Sequence, residues 1–125
     1  MGYFRTDEIF EKLYGYDLVA TSQVDVSAAN AEARITLPAE VGKRHIVSGL
    51  AWSYDSQLSD GRLHIYINND ANMVVFDIDI ISSGPGFIPF TKQFDTGLQV
   101  DIVLQAGGAG VVGKLNVLNY MKVDA

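Results

Sequence analysis

Residues Arg62 to Ile81 read RLHIYINNDANMVVFDIDII, and the reading of this stretch decides the fold. In Arg62–Asn68 the apolar Leu63, Ile65 and Ile67 alternate with His64, Tyr66 and Asn68. In Met73–Ile81 the set Val74, Phe76, Ile78 and Ile80 is expected inside, with Asp77 and Asp79 outside. A period of two places successive side chains on opposite faces of a pleated strand, whereas a helix needs spacings of three and four. Between the two runs, Asn68-Asn-Asp-Ala-Asn72 offers side chains that tolerate left-handed backbone angles and bond their own main chain, as a hairpin loop requires. The stretch is therefore an antiparallel hairpin with one apolar face, and that face needs a second layer to cover it.

Working outward, the same period recurs. Glu32–Leu37 alternates Ala33, Ile35 and Leu37 against Arg34 and Thr36 before Pro38 closes it. Arg44–Tyr54 places Ile46, Leu50, Trp52 and Tyr54 in one phase and His45, Val47 and Ala51 in the other, so both faces are apolar and a central strand is expected. Ser82-Ser-Gly-Pro-Gly86 is a turn cluster, and Phe87-Ile-Pro-Phe90 an edge strand, because Pro89 has no N–H for an interior ladder. Leu98–Gln105 points Leu98, Val100, Ile102 and Leu104 inward. After the glycine-rich loop Ala106–Gly110, Val111–Met121 carries Leu115, Val117 and Met121 in one phase. With Leu18–Val26 this makes about eight strands at spacings near ten residues, the pattern of a two-sheet antiparallel β-sandwich of jelly-roll type over residues 17–125. Residues 1–16 form an arm, helical or extended: Ile9, Phe10, Leu13 and Tyr14 have helical spacing, Thr6 can cap the start and Gly15 can end it.

Composition narrows the function. The 125 residues contain no cysteine, which removes disulfides, thiolate metal sites and cysteine nucleophiles together. A net charge of −6, with Lys43–Arg44 the adjacent basic pair, speaks against nucleic acid as a partner. No apolar run is long enough for a membrane span, and Met1–Glu8 lacks the basic and apolar regions of a signal peptide.

Chemistry-bearing patterns are few. His45 and His64 are the two histidines, each expected on the solvent face of a strand, and neither has a second histidine two residues away as a jelly-roll metal site wants. Asp77 and Asp79 share one strand face about 7 Å apart, side by side rather than across a substrate. Gly108-Ala-Gly-Val-Val-Gly113 fits G-x-G-x-x-G, but strand-like spacing follows it where a phosphate site needs a helix. No enzyme, metal or cofactor is expected. Among the aromatic residues, Tyr66 is expected to be exposed, Trp52 buried.

Over its carboxy-terminal two-thirds the chain resembles small β-sandwich virion proteins of tailed bacteriophages, the capsid decoration or cement proteins. The resemblance rests on Ser48-Gly-Leu-Ala-Trp-Ser-Tyr54, Gly61-Arg-Leu-His-Ile65, Ser83-Gly-Pro-Gly-Phe-Ile-Pro-Phe90 and Gly113-Lys-Leu-Asn-Val-Leu118. It implies a structural role on the capsid surface of a virion after synthesis in the host cytoplasm, bound between capsomers to the major capsid protein, with a homotrimer as the first choice of assembly. Contact residues under that role are Tyr3, Phe4, Ile9, Phe10 and Leu13 of the arm, with Tyr66, Phe87 and Phe90 of the sandwich. The alternative on the same framework is a carbohydrate-binding module, or an adhesin or tail-fibre component, for which flat aromatic rings beside polar groups would stack on sugars.

Overall fold

The computed structural model describes residues 16–17, 23–59, 63–69 and 73–124, and none of these is helical. The arm residues Tyr3, Phe4, Ile9, Phe10 and Leu13, the first part of the Leu18–Val26 run and the Asp60-Gly61 turn lie outside the described residues. Among the described residues nine strands are seen: β1 (Tyr16–Asp17), β2 (Gln23–Val26), β3 (Ala33–Leu37), β4 (Lys43–Tyr54), β5 (Leu63–Asn69), β6 (Val74–Ile80), β7 (Gly86–Gln93), β8 (Val100–Leu104) and β9 (Gly113–Asp124). They form two antiparallel sheets. One has the order β1-β9-β4-β7, with β2 also paired to β9; the other has the order β3-β8-β5-β6. From β2 to β5 each strand joins the sheet opposite its predecessor. After the β5–β6 hairpin the alternation resumes through β7, β8 and β9, which is jelly-roll topology.

The hairpin pairs as its pattern requires. Leu63 faces Ile80, Ile65 faces Ile78 and Ile67 faces Phe76 on the inner side, while His64 faces Asp79 and Tyr66 faces Asp77 on the outer side. The register shifts after Ile67, so that Asn68 pairs with Val74. One extra residue reverses the side on which the chain points. Val75, not the expected Val74, therefore packs against the core, and Val74 is exposed.

A larger correction concerns β4 and β9. Their mutual register is continuous, Val47 facing Tyr120 and Leu50 facing Val117. Yet Val47 and Leu50 are both core residues although three positions apart, and so are Val117 and Tyr120. The pleat thus slips phase in both strands at one level. Ser48 and Gly49 turn away from the core on β4, as do Leu118 and Asn119 on β9. Gly49 has φ of +78°, a backbone region where a side chain is strained. The edge strand β7 keeps its simple alternation, and its register against β4 shifts by one residue there. Consequently Val47 and Tyr120 join the core cluster, while Met121 and Ile46 stand apart from it, Ile46 still being buried.

Because His45 shares the phase of Val47, it is turned inward as well. Its side chain is buried, against the expectation of a solvent-facing histidine. Both ring nitrogens are engaged. Nε2 lies 2.8 Å from the Pro38 carbonyl oxygen, which can only accept, so Nε2 carries a proton. Nδ1 lies 2.7 Å from the Tyr120 hydroxyl, which donates to it when the ring is neutral. Burial holds the imidazole below its ordinary pKa, and the Pro38 hydrogen bond opposes that shift in part.

Between the sheets, Leu37, Leu50, Ile65, Ile67, Ile102, Leu104 and Leu115 are almost completely buried. Each Val, Leu or Ile side chain so placed contributes about 1.5–3 kcal/mol through the water it sheds. Phe90, one of the expected contact residues, belongs to this interior: it packs on the core cluster and its ring stacks on Phe76 at 4.9 Å. Trp52 packs there too, directly opposite Gly86 of β7, which leaves room for the indole.

Candidate binding face on the four-stranded sheet

The outward residues of β5 set the site. His64, Tyr66 and Asn68 stand in a row along the strand, because the same alternation that buries Leu63, Ile65 and Ile67 sends them to the open side. The neighbouring strands add Asp77 and Asp79 from β6 and Asp101 from β8, and β3 contributes Arg34 and Thr36. Just past β8 comes Gln105.

These groups are tied together. His64 Nδ1 is 2.8 Å from Asp77 Oδ1 and 3.6 Å from Asp79 Oδ1. A carboxylate accepts, so Nδ1 donates to Asp77 and the Nε2 edge of the ring is left for another contact. Gln105 is held on three sides: its backbone N–H donates to the His64 carbonyl, its Oε1 accepts from the His64 N–H at 2.9 Å, and its carbonyl accepts from the Tyr54 hydroxyl at 2.8 Å. The Tyr54 phenol reaches that carbonyl from the core, where burial pushes its pKa up to about 12. At the other margin, Asp101 accepts from Thr36 Oγ1 at 2.7 Å and pairs with Arg34 at 3.6 Å. The Asn68 side-chain oxygen is buried without a hydrogen-bond partner, a condition that costs about 1–3 kcal/mol in a folded chain.

Two adjoining hollows result. One, of about 440 Å³, is bounded by His64, Tyr66, Asn68, Val74, Asp77 and Gln105. The other, of about 410 Å³, lies between Tyr66, Gln105 and the segment Asn30–Glu32. Tyr66 and Gln105 line both. The result is a trough with an aromatic ring at its middle and hydrogen-bonding groups along its length.

The sequence-level candidates are thereby separated. Tyr66 stands at the centre of this face. Phe87 is exposed but lies on the outer side of the other sheet, opposite Ala51 of β4. Gln105, Asn68 and the His64–Asp77 pair were not among the expected contacts. The signal available for Asn68 and the His64–Asp77 pair was the polar phase of the hairpin, which brings His64 and the Asp77–Asp79 pair to one side. His45 and His64 belong to different sheets and point to different sides, so no base pairs with a second base. Among the described residues no three His, Cys, Asp or Glu side chains are grouped as metal ligands. The glycine sequence Gly108–Gly113 opens into β9 and not into a helix. Among the described residues no helix is long and apolar enough to cross a membrane.

No known protein family matches the chain, and no curated protein does. Solved structures do. The CBM36-1 domain of a multidomain xylanase from the hindgut metagenome of Trinervitermes trinervoides is 13% identical, with 80% of this chain and 76% of that one covered at a TM-score of 0.39. The N-terminal cellulose-binding domain of β-1,4-glucanase C from Cellulomonas fimi is 11% identical, covering 86% and 84%, at a TM-score of 0.42. A carbohydrate-binding module, CBM36, solved with calcium and xylotriose, is 10% identical, covering 85% and 91%, at 0.39. Likeness at this level carries neither ligand nor site residues across to this chain.

Proposed function

We propose that the chain is a non-catalytic binding module that takes an oligosaccharide along the outer side of the four-stranded sheet. The observation that carries this reading is the trough itself: Tyr66 at its centre, with the His64–Asp77 pair, Asn68 and Gln105 within the same two hollows. An aromatic ring offers its negative face to the C–H bonds of a pyranose, while amides, an imidazole and a carboxylate match its hydroxyl groups. An open trough suits a ligand that extends beyond one sugar ring. The test is titration calorimetry with a panel of neutral oligosaccharides. Tyr66→Ala should weaken binding at least about fivefold, the loss of about 1 kcal/mol that marks an energetically important contact. Absence of heat with every member of a broad panel refutes the reading.

A second reading is favoured by a different observation. Val24 and Val26 on β2 are exposed on the outer side of the five-stranded sheet, opposite Asn116 and Lys114. Apolar residues side by side on an outer strand fit burial against another subunit. On this reading the chain is a capsid decoration protein on the head of a tailed phage, a homotrimer set between subunits of the major capsid protein. Light scattering that shows a strict monomer, together with no binding to expanded capsids, removes it.

A further inference from the structure

The phase slip leaves a mark on the opposite side of the molecule from the trough. Where Ser48, Gly49, Leu118 and Asn119 turn outward together, the five-stranded sheet carries a groove of about 440 Å³, within the ~300–1,000 Å³ range of small-ligand sites. One wall is Phe87 and Pro89 on β7, the other Leu118 on β9, with β4 between them. The walls therefore stand two strand spacings apart, about 9–10 Å. The floor is Gly49. A Cβ at that position would come within 3.2–3.3 Å of the Leu118 side chain. Phe87 is 59% exposed and Leu118 37%. Polar groups lie at the margin: the Ser48 and Thr91 hydroxyls, 3.2 Å apart, and the Asn119 amide.

The lining has no ionisable side chain, although 19% of the residues in the chain are charged. A charged ligand would be desolvated there with no counter-charge. The surroundings instead match a neutral molecule with one flat apolar face and a hydroxylated edge.

We propose that this groove is a second glycan site that takes one or two neutral pyranose units on Phe87 and Pro89, with their hydroxyl groups exchanging hydrogen bonds with Ser48, Thr91 and Asn119. The proposal shares its ligand class with the function read above but stands on different residues. Its consequence is bivalency. Two sites on opposite sides of a sandwich cannot engage one short oligosaccharide, so a single domain would bridge two polysaccharide chains.

The experiment is a titration of the isotope-labelled full chain with cellohexaose and mannohexaose, followed through backbone amide shifts, on the unaltered protein and on Tyr66→Ala, Phe87→Ala and the double variant. Phe87 is exposed and outside the core, so its truncation leaves the fold intact, which thermal unfolding verifies. Two separate sets of shifts are expected, one around Tyr66 and Gln105 and one around Ser48, Gly49 and Asn119. Phe87→Ala should weaken the second set at least about fivefold while leaving the first in place, and Tyr66→Ala should do the reverse. Shifts confined to the Tyr66 side overturn the second site and leave the proposed function standing. Shifts confined to the Phe87 side do the opposite. Shifts near Phe87 that follow protein concentration and ignore sugar show that a second copy occupies the groove, and they also overturn the proposal.

Discussion

Replacing Gly86 with alanine tests how β7 meets the core. Trp52 and Gly86 are directly opposed in the ladder between β4 and β7, and the indole lies across the place where a side chain would start. A Cβ at residue 86 would fall inside the van der Waals envelope of Trp52 Cζ2 and lie 2.5 and 2.6 Å from Cε2 and Cη2. Ordinary contact begins near 3.4 Å, so the ring must move by about an ångström or β7 must lift. Overpacking of this kind costs about 1–3 kcal/mol. The entropy that alanine removes from the unfolded chain offsets about 0.4–1 kcal/mol of that. The net cost of about 1–2 kcal/mol should lower Tm by about 4–8 °C in a domain of this size. Trp52 is the single tryptophan, so its fluorescence reports directly on the displaced ring, and emission should shift to the red. Phenylalanine at position 52 has no benzo ring at the contested place. In a Trp52→Phe background the same glycine substitution should therefore cost less than about 0.5 kcal/mol, a coupling between contacting residues that a double-mutant cycle isolates. An unchanged Tm and spectrum for Gly86→Ala, or strictly additive effects in the cycle, would refute the packing argument.

Two further outcomes follow from buried polar groups. His45 has a folded-state pKa below that of the unfolded chain, so its contribution to stability is complete above the unfolded value of about 6.5 and declines as pH falls toward the folded one. Unfolding free energies from urea titrations between pH 7.5 and 5 should fall by up to about 1.4 kcal/mol per pH unit more steeply than in His45→Gln. Parallel curves for the two proteins would show that the ring is not held neutral. Ser27 Oγ accepts from the Gly113 N–H at 2.9 Å in a buried position. Ser27→Ala should thus cost about 1–3 kcal/mol by denaturant titration, with the slope unchanged; a loss under about 0.3 kcal/mol would mean that another acceptor replaces the hydroxyl.

The layers of this fold were legible because alternation in Ala33–Leu37 and Leu63–Ile67 is uninterrupted, and each strand needs to be apolar on one side alone. Pro89 likewise placed β7 at an edge. The readings that failed on β4 and β9 share one cause. In Arg44–Tyr54 apolar residues occupy both phases, and period two alone cannot tell a two-sided strand from one that changes phase half-way. Gly49 was the available signal, since an isolated glycine in a strand marks an irregular backbone. Reading it so would have placed Val47 and His45 inside. Tyr120 had no comparable marker, because its displacement depends on a partner strand some seventy residues earlier. For the proposed binding face, Tyr66 was legible from the hairpin phase, and Gln105 was not: it reaches the trough only because β8 lies beside β5, a neighbour relation that local periodicity does not encode.

The joint slip in β4 and β9 also constrains how the chain can change in length. Deleting Gly49 alone would restore even alternation on β4 while β9 kept its offset, and every pair beyond that level would set a core residue against an outward one. Removing Leu118 at the same time would bring the two strands back into agreement, and the free edge β7 would absorb what mismatch is left. Viable insertions and deletions at this level of the sheet should therefore occur as matched pairs in distant parts of the gene, so that a lone deletion is tolerated only after its counterpart is already present.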